Sequence, residues 1–132
     1  MDTPYGILIE KANEALKNAY APYSGFKVGA ALLCDNGKIY TGCNIENASY
    51  GATLCAERVA LSKALSEGER DFTAICIVSD PSKSPCYPCG ICRQALSEHC
   101  DGDFKIILQN GSSIEIFTLT SLLPHGFSKE NL

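Results

Sequence analysis

The sequence has no apolar run approaching the roughly 18 residues that a membrane-spanning helix needs, so a membrane partner is not expected. It has no cluster of lysine and arginine, and 15 acidic residues against 11 basic ones leave a net charge of −4. Nucleic-acid binding depends on a concentrated positive surface, so such a partner is not expected either. The opening stretch MDTPYGILIEKANEAL carries acidic side chains and helical spacing where a secretion signal would carry basic residues and an apolar block. The expected location is therefore cytoplasmic. No internal repeat, low-complexity tract or linker divides the 132 residues, which predicts one domain spanning 1–132.

Cysteine, in contrast, occurs eight times. The even count would suit a disulfide scaffold. The lack of a signal and the long apolar segments favour reduced thiols instead, and a cluster of those more often binds metal. Cys34, Cys43, Cys76 and Cys100 stand singly in apolar or strand-like stretches and read as small buried side chains. Cys86, Cys89 and Cys92 share the stretch SPCYPCGICRQAL, in which P-C-x-x-C can be read in two registers. Pro88 has no N–H and turns Tyr87 away from helical angles, so the run from Cys86 to Cys89 reads as loop. CGICRQALSE then continues as helix without a breaker. Cys89 and Cys92 lie three apart on its first turn and face one point. Gly90 lets the backbone approach whatever is bound, and the helix N-terminus favours thiolates. Cys86 is the bystander.

The remaining pattern predicts an alternation of elements. A helix opened by Pro4 runs through residues 5–20, with Ile9, Ala12, Leu16 and Ala19 on one face. Strands at 26–34 and 38–45 flank the turn signal DNG. A helix at 53–68 ends at Gly68, and an almost wholly apolar run at 72–79 reads as a buried central strand. The cysteine-led helix covers 89–100, strands at 104–109 and 112–119 surround NGS, and LLPHGF forms a short terminal segment. The order α-β-β-α-β-α-β-β predicts a mixed sheet with helices on both faces.

Two thiolates do not complete a zinc site. In TLCAER, Cys55 begins the other inner helix and Glu57 follows it. Two helix starts aimed at one place would bring Cys55, Cys89 and Cys92 around one zinc and leave a fourth position open to water. Glu57 would stand beside that water as a proton carrier. A structural zinc module would need a fourth protein ligand and has no use for Glu57. Three thiolates on a dication leave a negative site, and Arg58 is the nearest side chain able to draw charge off them. Histidine occurs twice, as His99 and His125. His99 lies two helical turns from Cys92, roughly 10 Å along the axis, which is too far to share a metal; both histidines read as non-ligands.

CAER followed by PCGICRQ resembles the zinc-dependent cytidine deaminases, specifically the small homotetrameric kind. The likeness extends over nearly the whole chain, through YAPYSGFKVGAAL, GCNIENASYG and LLPHGF. It implies an α/β, three-layer α-β-α cytidine deaminase-like fold with a central mixed five-stranded sheet. It implies one zinc ion per chain on Cys55, Cys89 and Cys92, with Glu57 as the catalytic acid–base and Arg58 donating to the sulfurs. The implied reaction is hydrolytic deamination of cytidine and 2′-deoxycytidine to uridine and 2′-deoxyuridine with release of ammonia, a step of pyrimidine salvage. For the nucleoside, the resemblance assigns the base to Phe26 and the backbone N–H of Ala56, and the ribose to Asn44 and Glu46. Ala48, Tyr50 and Phe127 are then expected to reach a neighbouring subunit's substrate in a homotetramer. A deaminase of some other 4-aminopyrimidine would share the zinc motifs, but the Asn-x-Glu pair in NIENA is similar to the ribose-binding version.

Overall fold

The computed structural model describes residues 5–82 and 84–132; the expected helix opener Pro4 lies outside them. The elements run α1 (Gly6–Leu16), β1 (Lys27–Cys34), β2 (Ile39–Cys43), α2 (Ala56–Ser66), β3 (Phe72–Asp80), α3 (Gly90–His99), β4 (Lys105–Asn110), β5 (Ser113–Thr118) and α4 (Leu119–Leu122). The five strands form one sheet in the order β2-β1-β3-β4-β5. Gly37 and Gly111 adopt positive φ of 90° and 62°, which lets the chain reverse tightly between β1 and β2 and between β4 and β5. These hairpin pairs are antiparallel, as is β1 with β3. β3 and β4 run parallel, which requires a crossover, and α3 supplies it.

Side-chain alternation along the strands divides the core into two layers. Ala30, Leu32, Ile75, Ile77, Ile106 and Leu108 face α2 and α3, where they meet Ala60, Leu61 and Leu96. Ala31, Ala74, Cys76, Val78 and Ile107 face the other way, onto Leu8, Ile9 and Ala12 of α1. The central strand β3 is buried on both faces, which explains why its sequence is almost continuously apolar. The result is the three-layer arrangement with a mixed sheet that the sequence predicts.

Two close approaches fix where the helices sit. A Cβ on Gly29 would stand 2.2 Å from the carbonyl oxygen of Ala12, so α1 rests directly on β1. A Cβ on Gly42 would stand 2.5 Å from the Ala56 oxygen and 2.6 Å from the Ala60 nitrogen, so α2 rests directly on β2.

Several boundaries differ from those expected, those of α1 and α2 through backbone bonds made at a distance. α1 stops at Leu16 and leaves Ala19 outside it. There the Tyr20 N–H donates to the Asn44 oxygen at 2.9 Å, and the Glu46 N–H donates to the Tyr20 oxygen at 2.8 Å. α2 starts at Ala56 and not at Thr53, because Leu54 and Ile45 exchange both backbone hydrogen bonds at 2.9 Å. Ile45 is thus bridged to Tyr20 on one side and to Leu54 on the other. The bridges carry β2 onward and bring Glu46 alongside the start of α2. β5 ends at Thr118, whose side chain accepts the Ser121 N–H at 3.2 Å and opens α4, so LLPHGF begins inside a helix. Among the described residues, no helix is long and apolar enough to cross a membrane.

Candidate active site

Cys55 and Cys89 occupy equivalent places: each is the N-cap residue of its helix, α2 and α3 respectively. Both have extended backbone angles, and neither uses its side chain to cap the helix. The sulfurs turn towards each other instead. Cys89 Sγ lies 3.7 Å from Cys55 Sγ and 3.5 Å from Cys92 Sγ. All three sulfurs fall within 4.8 Å of one another, and among the described residues this is the one such cluster of potential metal ligands. His99 ends α3 outside it, and His125 sits in a turn at φ 54°.

The electrostatics of the cluster suit a cation. Hydrogen bonding from Cys92 lowers the Cys55 thiol to about 5, against burial and with help from Arg58. The same bond, with burial, raises Cys92. Three soft thiolates at the positive ends of two helices are a donor set that fits zinc. Arg58 Nη2 stands 3.8 Å from Cys55 Sγ and 3.3 Å from the Thr53 oxygen. Its Nε is buried and has no protein partner.

Beside the thiols, Glu57 is only 4% exposed. Burial pushes its carboxyl up to about 7. It lines a cavity of about 230 Å³ that Cys55, Cys89 and Ala56 also line. Phe26, Val28 and Tyr87 supply apolar wall, and Asn44 and Glu46 supply polar wall. Ala56 is the first residue of α2, so its N–H has no partner within the helix. Cys86 also lines the cavity but lies outside the cluster of three, and burial pushes its thiol up to about 12. Cys34 and Cys76 are buried in the core, whereas Cys43 and Cys100 are only half-buried.

The polar wall is more engaged than sequence suggests. Asn44 Oδ1 accepts the Val28 N–H at 2.9 Å, and Asn44 Nδ2 donates to the Phe26 oxygen at 2.8 Å. Asn44 therefore anchors the start of β1 and keeps one N–H for a ligand. Glu46 Oε1 accepts the N–H groups of Tyr23 and Ser24 at 2.9 and 3.1 Å, and its Oε2 accepts the Ser24 hydroxyl. These bonds, Ser24's foremost, hold the Glu46 carboxyl below its ordinary range. A second cavity, of about 350 Å³, shares Glu46 and Thr53 with the first and is lined further by Tyr23, Ser24, Asn47 and Tyr50.

The structure brings Phe26, Asn44, Glu46 and Ala56 to one cavity with Cys55, Cys89 and Glu57. It does not bring the other three substrate candidates there. Tyr50 is 79% exposed beside the second cavity, Ala48 is exposed and lines neither, and Phe127 is 60% exposed. The Phe127 carbonyl is held by Gln94 Nε2 at 2.8 Å. Sequence reasoning missed Ser24, Thr53, Cys86 and Tyr87 as wall or clamp residues. Ser24 sits between Pro22 and Gly25 and reads simply as loop.

A family model, the cytidine and deoxycytidylate deaminase zinc-binding region, matches residues 5–108. The cytidine deaminase of Halalkalibacterium halodurans is 51% identical over 127 residues, 96% of each chain. That of Sporosarcina psychrophila is 50% identical over 126 residues, 95% of this chain and 92% of the other. The crystal structure of cytidine deaminase from Burkholderia pseudomallei superposes with a TM-score of 0.90 at 44% identity, covering 95% of this chain and 100% of that one. A three-thiol cluster beside a buried carboxyl, in a fold and sequence shared over this length, shows that the chain belongs to the zinc-binding cytidine and deoxycytidylate deaminase family.

Proposed function

We propose that this chain hydrolyses cytidine and 2′-deoxycytidine to uridine and 2′-deoxyuridine, releasing ammonia. The observation that carries this reading is the placement of the buried Glu57 carboxyl on the wall of a cavity also lined by Cys55 and Cys89, two of the three clustered thiols. Cys55, Cys89 and Cys92 would hold one zinc ion per chain. When bound, zinc supplies a Lewis acid that makes water nucleophilic near neutral pH.

The chain's own residues do the rest. Glu57 takes a proton from the attacking water and gives it to ring N3 as the water oxygen bonds to C4. The second water proton passes by way of Glu57 to the amine, the C4–N bond breaks, and ammonia leaves. A carboxyl with a pKa near the working pH can make both transfers. Arg58 and the two helix N-termini draw negative charge from the sulfurs. The Ala56 N–H holds the pyrimidine O2, and Phe26 packs on the ring. Glu46 accepts a hydrogen bond from the 3′-hydroxyl of the sugar, and Asn44 has one N–H to donate there.

The same reading makes 1–132 one cytidine deaminase domain and the active unit a homotetramer. The exposure of Tyr50 and Phe127, both large and partly apolar, supports contacts of Ala48, Tyr50 and Phe127 with a neighbouring subunit's substrate. A site built of reduced thiols supports a cytoplasmic location.

Substrate choice tests the sugar contacts. A buried site that pairs with a hydroxyl can reject a ligand lacking it by roughly 10⁴ or more. Cytosine should therefore react far more slowly than cytidine, and 2′-deoxycytidine, which keeps the 3′-hydroxyl, should also be deaminated. NASYGA, near the expected 5′ end, has no basic residue to cradle a phosphate, so cytidine monophosphate should react poorly. Equal kcat/KM on cytosine and cytidine, or a preference for the monophosphate, would contradict the assignment.

A further inference from the structure

We propose that Ser24 is a positioning residue that fixes how Glu46 meets the sugar. The proposal deepens the reading of Glu46 as a sugar contact and rests on it. An ionised carboxylate offers about four lone-pair positions. The N–H groups of Tyr23 and Ser24 occupy two of them on Oε1, at 2.9 and 3.1 Å. The Ser24 hydroxyl occupies one on Oε2. A single position remains, so Glu46 can accept from one ligand hydroxyl and no more.

The serine has no freedom to do otherwise. Ser24 Oγ accepts the Phe26 N–H at 3.0 Å, so one of its own lone pairs is committed and its proton is directed to Glu46. One hydroxyl thereby ties three things together. It holds the carboxylate's rotation, the backbone of Phe26 on the wall of the first cavity, and the turn carrying Tyr23 on the wall of the second. Without the hydroxyl, Oε2 has two open positions, the carboxylate can turn about its last bond, and water fills the vacancy.

A serine that merely stiffened an exposed loop would act independently of Glu46. A double-mutant cycle on the full-length, zinc-loaded protein separates the two roles. KM and kcat for cytidine are measured in the wild type, Ser24→Ala, Ser24→Thr, Glu46→Ala and the Ser24→Ala/Glu46→Ala double variant. The Kd for uridine, which does not depend on turnover, gives the same cycle a second time.

Ser24→Ala should raise KM and Kd roughly ten- to hundredfold, the effect expected for a hydrogen bond to a charged group. kcat should change by a smaller factor, because the lost contact serves ground state and transition state alike. Ser24→Thr keeps the hydroxyl and should restore most of the loss. In the Glu46→Ala background, Ser24→Ala should add no more than about fivefold, the share that passes through the Phe26 N–H and not through the carboxylate. Multiplying effects in the double variant, or wild-type KM and Kd in Ser24→Ala beside raised values in Glu46→Ala, would overturn the proposal alone. Wild-type KM and Kd in Glu46→Ala would overturn the sugar reading beneath it.

Discussion

A group that takes and returns a proton within one turnover works best with a pKa near the working pH. Glu57 meets that requirement through burial, and its neighbours modify the effect. Desolvation raises the carboxyl and a thiolate at Cys55 raises it further, while hydrogen bonds from its own backbone and from Cys92 and the charge of Arg58 pull it down. The balance comes out at about 7. Glu57→Gln keeps the size and removes the titration. It should bind zinc as the wild type does and lose roughly 10²–10⁴ in kcat. Zinc content and turnover measured on one sample check this, and near-normal turnover would contradict the role. At this scale, the legible features were those with local rules. Pro88 and the cysteine spacing identify a helix start, and Cys55 with Glu57 identifies another. The engagement of Glu46 was not legible, because its clamp lies 22 residues earlier in a stretch that reads only as loop.

The two helix starts come together because each helix is seated on the sheet by its own contacts. For α2 that seat is Gly42, where an added Cβ would meet the backbone of Ala56 and Ala60 at 2.5 and 2.6 Å. Backbone atoms at that distance cannot give way as a flexible side chain could, so the whole helix would shift. Gly42→Ala should therefore destabilise the fold by about 1–3 kcal/mol, the usual effect of overpacking. It should also move Cys55, one residue before Ala56, and so weaken zinc retention. Melting temperature and zinc per chain after dialysis against a chelator measure the two effects. A drop in stability without zinc loss would show that α2 does not set the position of the thiol. The hydrophobic periods made the existence and order of every major element readable. The ends were less so. α1 and α2 are cut short by bonds among Tyr20, Asn44, Ile45, Glu46 and Leu54, pairings between segments that no local pattern announces.

Over the whole molecule, the site is open where the family resemblance places a neighbour. Tyr50 and Phe127 present large rings to solvent, and Leu54 and Ile91 at the start of the inner helices are also exposed, at 41% and 65%. Exposed large apolar side chains suit a surface that another molecule covers. A closed tetramer of identical chains would cover it symmetrically. Light scattering of the active protein should give four chains per particle, and Phe127→Ala should raise KM for cytidine. A fully active monomer would refute sites shared between subunits. No sequence pattern reports assembly directly, and this expectation came from likeness to a family and not from spacing or periodicity.

The central claim is that three thiols and one carboxyl make a zinc-dependent deaminase. The most direct test removes the metal with a chelator under reducing conditions and returns zinc in measured steps, following the loss of cytidine absorbance at each. Turnover should be negligible without zinc and should rise linearly until it stops at one zinc per chain, with uridine and ammonia formed in equal amounts. Undiminished turnover in the metal-free protein, or none at one zinc per chain, would contradict the claim.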